Sequence, residues 1–372
     1  MLNQSRRYMI ALALILAALL GWLIAKAEQT SNPNANKPSA DGRYHNRYVQ
    51  SANGGNFLKW QWQRLTSPNH RAPLQPILSV APDLDTIYAA SDSVRATWIG
   101  HSTLLYQIDG INILTDPQWS ERASPVSFAG PARHQPAAIA LQDLPRIDYV
   151  LISHNHYDHL DLDTVQSLIN RPNQQTIFLV PAGVEKWFQA NIANSVTQGQ
   201  GKNVIAFDWW QDINIQGKTA SHQIRFLPVQ HWSARGLFDR YETLWGSWAV
   251  LSPHFTFWFS GDLGYSQDIQ DIQQNIGDVD LAAIAIGGYA PRWFMQAAHI
   301  DPFEAVKVMR DLHAKNALAI HWGTFPLTDE PLDEPPRLLH QALQQQGLDE
   351  QRFRVLKHGE TWQIPQTAQA QP

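Results

Sequence analysis

Short apolar runs separated by turn residues recur along the chain from residue 94 onward, and most of them are too short to be helices. Runs of this length that are rich in β-branched and aromatic residues predict strands. The predicted strands cover residues 97–99, 103–108, 111–114, 147–153, 176–180, 223–229, 248–251, 255–259, 281–286 and 317–320. Asp109-Gly110 predicts a hairpin turn between the second and third of these strands.

Longer amphipathic segments between the later strands predict helices at residues 163–170, 182–193 and 301–313. Asp161 or Asp163 is expected to cap the first of these helices. Two mixed sheets with helices on their outer faces accommodate this order of elements. We therefore expect functional side chains on the loops at one edge of the sheets.

Seven histidine and aspartate residues follow apolar strands, at the points where those strands end. Four of them lie within His154-Asn155-His156-Tyr157-Asp158-His159, and the others are His231, Asp262 and His321. Imidazole and carboxylate are the ligands that zinc and similar divalent ions prefer. A single tetrahedral ion needs four ligands, so seven ligands with one bridging carboxylate indicate two ions.

The spacing within the histidine motif predicts how the ligands divide between two ions. A tight loop lets the first two histidines point one way, and Asp158 and His159 the other. One ion would be bound by His154, His156 and His231, the second by Asp158, His159 and His321, with Asp262 bridging. A single histidine at a strand end is more often a hydrogen-bonded structural residue, but the compact motif favours metal binding. A water between two cations has its pKa lowered toward neutrality.

Two further polar residues at strand ends have alternative interpretations. Asp116 ends a strand just before a proline, where it either accepts a hydrogen bond from a ligand histidine or forms a turn. His101 follows Gly100, and we interpret it as structural rather than as a support for the ligands.

The composition excludes several kinds of chemistry. The chain has 372 residues and no cysteine, which excludes disulfides, thiolate zinc sites, a cysteine nucleophile and a lipoprotein anchor. The net charge of -5 gives no reason to expect a nucleic-acid partner. Metal binding would therefore depend on histidine and aspartate, and the chain has 15 histidines.

The N-terminal segment predicts export. Arg6 and Arg7 precede an uncharged apolar run over residues 8–25. As a helix this run would rise about 27 Å, close to the thickness of a hydrocarbon core. Residues 1–27 are predicted to be a membrane anchor or a cleaved signal sequence, with a buried core helix as the alternative. The catalytic domain would then lie outside the cytoplasm, at a bacterial inner membrane or in the periplasm.

The remaining segments divide by composition. Residues 28–46 have the composition of a flexible linker, and residues 47–93 are predicted to be an extension that packs on the core. Within this extension, the aromatic segment 57–65 predicts a short amphipathic helix that packs on the domain or, alternatively, contacts lipid. The main domain would cover residues 94–365, followed by a disordered tail at 366–372.

The histidine motif and several others resemble a known family. The run His154-Asn155-His156-Tyr157-Asp158-His159-Leu160-Asp161 is similar to the signature of the metallo-β-lactamase superfamily. The wider motifs resemble, in order from residue 95 to 358, the zinc-dependent phospholipase D family that hydrolyses N-acylphosphatidylethanolamine. These motifs are Trp98-Ile99-Gly100-His101-Ser102-Thr103, Leu114-Thr115-Asp116-Pro117, Arg122-Ala123-Ser124-Pro125, Trp245-Gly246-Ser247-Trp248, Gly261-Asp262-Leu263-Gly264-Tyr265, Pro291-Arg292-Trp293-Phe294-Met295 and His321-Trp322-Gly323-Thr324-Phe325.

The resemblance implies an α/β (α+β) fold, an αββα sandwich with a dinuclear metal site at the sheet edge. It implies two Zn²⁺ per chain, with iron or manganese left open, and all seven ligand positions of the family are filled. Asp158, Asp262 and His299 would act in catalysis, and Tyr157 and His299 would bind substrate. The residue before His299 is Ala298, where the mammalian enzymes have glutamine, which puts headgroup selectivity in doubt.

The implied partners are a phospholipid substrate, a membrane surface and a second copy of the chain in a homodimer. The implied products are phosphatidic acid and an N-acylethanolamine. Two alternatives remain open: a hydrolase of the same fold that acts on lactones or soluble phosphodiesters, and a non-catalytic membrane-bound lipid binder. A long apolar groove beside the metals would favour lipid, and a small pocket with Arg or Lys would favour a soluble substrate.

Overall fold

The computed structural model describes residues 38–39, 41–48, 57–66, 71–91, 93–172, 175–197 and 203–365. The predicted anchor or signal over residues 1–27 and the predicted tail over 366–372 lie outside the described residues. Among the helices of the described part of the chain, none has both the length and the apolar character needed to cross a membrane.

The described residues form two seven-stranded sheets with helices on their outer faces. The strands are β1 (Arg95–Gly100), β2 (Thr103–Ile108), β3 (Ile111–Thr115), β4 (Tyr149–Leu151), β5 (Ile177–Pro181), β6 (Val204–Phe207), β7 (Asp212–Gln216), β8 (Ser221–Leu227), β9 (Ser247–Ser252), β10 (Phe255–Phe259), β11 (Leu281–Ala285), β12 (Asn316–Ile320), β13 (Phe353–Arg354) and β14 (Thr361–Gln363). The helices are α1 (Phe57–Thr66), α2 (Leu84–Tyr88), α3 (Leu162–Ile169), α4 (Val184–Asn191), α5 (Asp268–Ile276), α6 (Arg292–Met295), α7 (Pro302–Asp311) and α8 (Glu334–Gln345).

Both sheets are mixed, and they are built in the same way. The first has the order β14-β1-β2-β3-β4-β5-β6, and the second has the order β13-β12-β11-β10-β9-β8-β7. In each, antiparallel neighbours occupy one half and parallel neighbours the other. The parallel strands are buried on both faces, which explains why their sequences read as continuous apolar runs.

The main core lies between the sheets. Tyr106 of β2 stacks on Phe257 of β10 with ring centroids 4.1 Å apart, and both rings are buried. Trp248 Nε1 donates to the backbone carbonyl of Ile152 across the interface at 2.8 Å. A second apolar cluster lies between the first sheet and the helices α3 and α4, whose buried residues are spaced as amphipathic helices require. The architecture is the expected αββα sandwich.

A polar contact joins the two sheets at their hairpins. Asp109, in the β2–β3 turn, accepts hydrogen bonds from the Thr219 backbone and hydroxyl, from Ala220 N and from His222 Nε2 in the β7–β8 region. Burial of the Asp109 carboxylate opposes its ionisation, but the bonds from Thr219 and His222 outweigh this and lower its pKa to about 2. The charged form of Asp109 therefore stabilises this contact.

The sequence predictions agree with the structure for ten strands and three helices, although β4 is shorter than the predicted strand 147–153. The pattern did not predict β6, β7, β13, β14, α2, α5, α6 or α8. Helix α5 has the sequence DIQDIQQNI, whose polar residues hide an apolar stripe formed by Ile269 and Ile272. Helix α8 begins with Glu-Pro-Pro, which reads as a turn until the prolines are placed in its first turn.

The N-terminal extension contacts the domain closely. On α1, Trp60 is buried, stacks on Phe294 at 4.9 Å and donates through Nε1 to Asp329 at 2.8 Å. The predicted flexible linker 28–46 differs from the structure at its described end. Tyr44 is buried, and the side chain of Asn46 is hydrogen-bonded to the domain, because polar groups of the segment find partners there.

Candidate metal centre

The predicted ligands come from different strands and meet at one edge of the sandwich. His154 follows β4, His231 follows β8, Asp262 follows β10 and His321 follows β12. His321 leaves β12 with a φ of 58°, and Gly261, directly before Asp262, has a φ of 55°. All seven of these side chains are at least largely buried.

The structure brings the seven residues together in the two groups that the sequence predicts. Ligand atoms of the first group, and likewise of the second, lie within 4.8 Å of one another. The first group is His154, His156, His231 and Asp262, and the second is Asp158, His159 and His321 together with His101. Asp262 reaches both groups: its Oδ2 lies 3.8 Å from His231 Nε2, and its Oδ1 lies 3.0 Å from His321 Nε2.

Several inward-facing atoms of this cluster are buried without hydrogen-bond partners among the described residues. They are His159 Nε2, His231 Nε2, His321 Nε2 and Asp262 Oδ1. His321 Nε2 and Asp262 Oδ1 are 3.0 Å apart, but their geometry is not that of a hydrogen bond. In addition, His154 Nε2 and His156 Nδ1 face each other at 2.7 Å. An unsatisfied buried polar atom costs about 1–3 kcal/mol. Nitrogen and carboxylate donors that converge in this way fit divalent cations.

Asp116 orients one histidine of each group. Its Oδ2 accepts from His159 Nδ1 at 2.6 Å and from the Ser153 hydroxyl at 2.6 Å. The Ser153 hydroxyl in turn lies 2.8 Å from His154 Nδ1, from which it can accept. With their Nδ1 atoms bonded outward, both rings direct Nε2 toward the centre. Of the two interpretations of Asp116, the structure supports the hydrogen-bond acceptor.

His101 has a closer relation to the centre than its structural interpretation indicates. Its Nε2 donates to Asp158 Oδ2 at 2.9 Å, and the ring is buried. Its backbone has a φ of 52°, and Thr324 Oγ1 accepts from its N–H. The signal in the sequence was its place directly after a strand, which it shares with the predicted ligands.

The electrostatics of the second group favour a cation. Burial opposes ionisation of Asp158 and Asp262, but nearby imidazoles, His159 first, outweigh it and hold both pKa values well below the ordinary value. Burial disfavours a charged His321, yet Asp262 and Asp158 outweigh it and raise its pKa to about 9. The two buried carboxylates thus favour a positive charge between them.

The three imidazoles of the first group are neutral. Burial is the main cause that lowers the pKa of His156 and of His231 to about 3, and it lowers the pKa of His154 well below its ordinary value. A neutral imidazole has the free lone pair that metal binding requires.

His299 lies beside the two groups on the loop after α6. Its Nδ1 is 3.9 Å from Asp262 Oδ2 and has no hydrogen-bond partner among the described residues. Burial lowers its pKa to about 3, so the ring is neutral near pH 7. A Cβ at Gly288 would lie 2.9 Å from His299 Nδ1, and Gly288 has a φ of +85°. Glycine is therefore required there for both reasons.

Tyr157 is half-buried and is held by an arginine that the sequence analysis did not single out. Arg235 lies with its guanidinium carbon 4.0 Å from the centre of the Tyr157 ring, and the Tyr157 hydroxyl donates to the Arg235 carbonyl at 3.1 Å. The same guanidinium donates to the carbonyls of Asn155 and Leu160, so it holds the whole motif loop. The only signal in the sequence was its position four residues after His231.

Two apolar surfaces include residues that are close in sequence to predicted ligands. On the loop after His231, Leu237 and Phe238 are 59% and 71% exposed. On another side, a groove of about 450 Å³ is lined mainly by apolar residues and includes Trp322, the neighbour of His321. Its apolar lining residues are Leu74, Pro76, Ile77, Leu78, Trp322, Pro336, Val355 and Leu356.

Comparisons with known proteins bear on this site. Residues 111–322 match the β-lactamase superfamily domain. The chain is 38% identical over 302 residues to a Caenorhabditis elegans protein named N-acyl-phosphatidylethanolamine-hydrolyzing phospholipase D 1, covering 80% of this chain and 83% of that protein. It is 32% identical over 264 residues to a Saccharomyces cerevisiae mitochondrial protein with the same activity in its name. This match covers 70% of this chain and 54% of that protein. The structure of a metallo hydrolase from Ignicoccus hospitalis matches with a TM-score of 0.53 at 21% identity, over 73% of this chain and 97% of that chain. This match shows a similar fold.

Proposed function

The chain belongs to the β-lactamase superfamily and is a metal-dependent hydrolase, and from this we propose that it is a zinc-dependent phosphodiesterase of the phospholipase D type. The proposed substrates are phospholipids like N-acylphosphatidylethanolamine, and the products are phosphatidic acid and an N-acylethanolamine. One observation carries the proposal: the histidine and aspartate cluster lies in a chain that shares 38% identity, over 80% of its length, with a relative named for this activity.

We propose that the residues divide between two metals as the two groups do. One metal would be held by His154, His156 and His231 and the other by Asp158, His159 and His321, and Asp262 could contribute to both. When bound, two divalent metals supply a water of lowered pKa as nucleophile and neutralise negative charge that develops on phosphate oxygens. A donor set of imidazoles and carboxylates without thiolates suits zinc and also permits iron or manganese.

In this proposal the side chains beside the metals bind and orient the phosphodiester. The neutral His299 donates a hydrogen bond to the oxygen of the departing alkoxide, and the proton that this oxygen takes up is the one released by the attacking water. Tyr157 contacts the phosphate or its headgroup through its hydroxyl, in exchange for the Arg235 carbonyl. Arg235 keeps the motif loop in place during the exchange, because its other two hydrogen bonds do not involve Tyr157.

The apolar surfaces support a lipid rather than a soluble substrate. The exposed Leu237 and Phe238 lie on the loop that follows a proposed ligand, where they suit contact with a membrane surface. The groove that includes Trp322 has the size of a small-molecule site, and its lining is mainly apolar but also includes Gln75, Asp333, Arg337 and Lys357. We also propose that the N-terminal segment holds the domain at a membrane outside the cytoplasm. A homodimer remains a prediction.

The test is hydrolysis of N-acylphosphatidylethanolamine in mixed micelles by the purified full-length chain, before chelation, after chelation and after zinc is restored. We expect release of N-acylethanolamine and phosphatidic acid that chelation abolishes and zinc restores. A folded chain with two metals that releases neither product would contradict the substrate and would direct the assay to lactones and soluble phosphodiesters. A folded chain that binds no metal would contradict the metal centre itself.

A further inference from the structure

Residues 41–48 contact the metal centre, although they lie outside the β-lactamase superfamily match at residues 111–322. The side-chain amide of Asn46 pairs with the backbone of His231 in both directions. His231 N donates to Asn46 Oδ1 at 3.0 Å, and Asn46 Nδ2 donates to the His231 carbonyl at 2.9 Å. The side-chain amide of Asn46 thus bonds to the backbone of His231 as a neighbouring strand would, at a position beyond the end of β8.

The segment is held on both sides of Asn46. On one side, Tyr44 is buried and its backbone N–H donates to the Tyr241 carbonyl at 2.9 Å. On the other, Arg47 Nη1 lies 2.9 Å from carboxylate oxygens of both Asp268 and Asp271, at the start of α5. Tyr48 adds a hydrogen bond to Asp271 at 2.6 Å.

These contacts matter because they hold the backbone of His231, whereas a separate contact orients its ring. Its ring is oriented by Nδ1, which donates to the Ala298 carbonyl at 2.9 Å. Its backbone lies beyond the end of β8, where its N–H and carbonyl need partners because the residue is buried. Asn46 satisfies both groups, so the ring and the backbone of His231 are held independently.

We propose that residues 41–48 form a strap that positions His231, and that the metal bound by His154, His156 and His231 depends on this strap. Asn46 is a positioning residue in this scheme, because it acts through the backbone of His231. The inference rests on the metal centre of the proposed function and is independent of the substrate. A segment whose composition reads as linker is thereby part of the metal centre.

The experiment measures zinc affinity of the full-length, metal-free chain by competition with a chromophoric chelator. In Asn46→Ala we expect one of the two zinc ions to bind about 10–100-fold more weakly and the other to bind as before, the usual effect of losing an outer hydrogen bond to a ligand. Arg47→Ala removes the ion pairs that hold the strap to α5, without changing a contact of His231, and should weaken binding of the same zinc ion. Asn214→Ala, at an exposed position on β7, is the matched control and should bind both ions as the wild type does.

The outcomes separate this inference from the proposed function. If the wild type binds no zinc, the metal centre is wrong. If the wild type binds two zinc ions and both Asn46→Ala and Arg47→Ala retain its affinities, the strap is wrong and the metal centre stands. Thermal unfolding of the metal-free variants checks the fold. If Asn46→Ala is unfolded, Asn46→Asp replaces it, since it keeps an acceptor for His231 N, and unchanged affinity in that variant would contradict the strap.

Discussion

Asp262 lies where the two groups of imidazoles meet, and its environment differs from that of an ordinary aspartate. It is buried, and the imidazoles around it hold its pKa well below the ordinary value despite that burial, His159 having the largest effect. A buried carboxylate of this kind needs positive charge close by. The lowered pKa values of Asp158 and Asp262 and the raised pKa of His321 follow from the close packing of these opposite charges, an arrangement that favours a bound cation.

At the residue scale, His299 offers a test of catalysis separate from metal binding. His299→Ala should lower kcat for the phospholipid by about 10²–10⁴-fold, because it removes a donor to the leaving group. Metal content should stay at the wild-type level, since the seven proposed ligands are intact. His340→Ala, at an exposed position on α8, is the control and should leave kcat unchanged. Loss of metal, or an unchanged kcat, would contradict the proposed role.

At the scale of secondary-structure elements, the hairpins hold the sheets together at points away from the metal centre. The β2–β3 turn belongs to the first sheet, and the β7–β8 region belongs to the second. Asp109 joins them through a charged acceptor that receives four hydrogen bonds. Hydrogen bonds to a charged group contribute more than neutral ones, about 1.5–3 kcal/mol.

Asp109→Ala should therefore lower the free energy of unfolding by about 2 kcal/mol near pH 7. The pKa of Asp109 is lowered to about 2 in the folded chain, from about 4 when unfolded. Its contribution is thus fully present above about pH 4 and is lost as the pH falls through about 2. The wild type should lose its advantage over the variant across that window.

Urea unfolding of metal-free protein between pH 7 and pH 2 measures this difference without interference from metal release. Glu121→Ala, an exposed carboxylate on the loop after β3, is the control and should leave the free energy of unfolding nearly unchanged. A difference between wild type and Asp109→Ala that does not change between pH 7 and pH 2 would show that the charge is not what stabilises the contact.

At the scale of the whole molecule, the candidate metal centre joins the two sheets. Loops of the first sheet contribute the residues from His154 to His159 and their support Asp116, and loops of the second contribute His231, Asp262 and His321. Each proposed ion would therefore have protein ligands from both sheets. Metal binding should then stabilise the packing of one sheet on the other.

Removal of the metals should accordingly lower the melting temperature of the entire domain in one transition. Free zinc at 100 times its Kd would restore about 2.7 kcal/mol per site. Calorimetry of the chelated and zinc-restored protein measures the shift, and Asp262→Asn should show a smaller one because the bridge between the groups is weakened. Equal melting temperatures with and without bound metal would exclude this coupling.

The sequence by itself determined the features that depend on short stretches of chain. Apolar runs of four to seven residues predicted the central strands, and Asp109-Gly110 predicted the first hairpin, because local geometry and burial act within a single element. The spacing of His154 to His159 also predicted the two groups of the metal centre. In a tight loop, the directions of neighbouring side chains follow from the local backbone.

The tertiary structure alone decided which distant residues support that motif. Asn46 bonds to His231 across 185 positions, and Arg235 bonds to Asn155 across 80. His101 contacts Asp158 only once β1 and β4 lie in the same sheet. Likewise, the few apolar residues of a polar segment such as α5 identify it as a helix only when the surface that they pack against is present. Contacts of this kind have no local pattern, because they depend on chain closure and on the packing of two complete sheets.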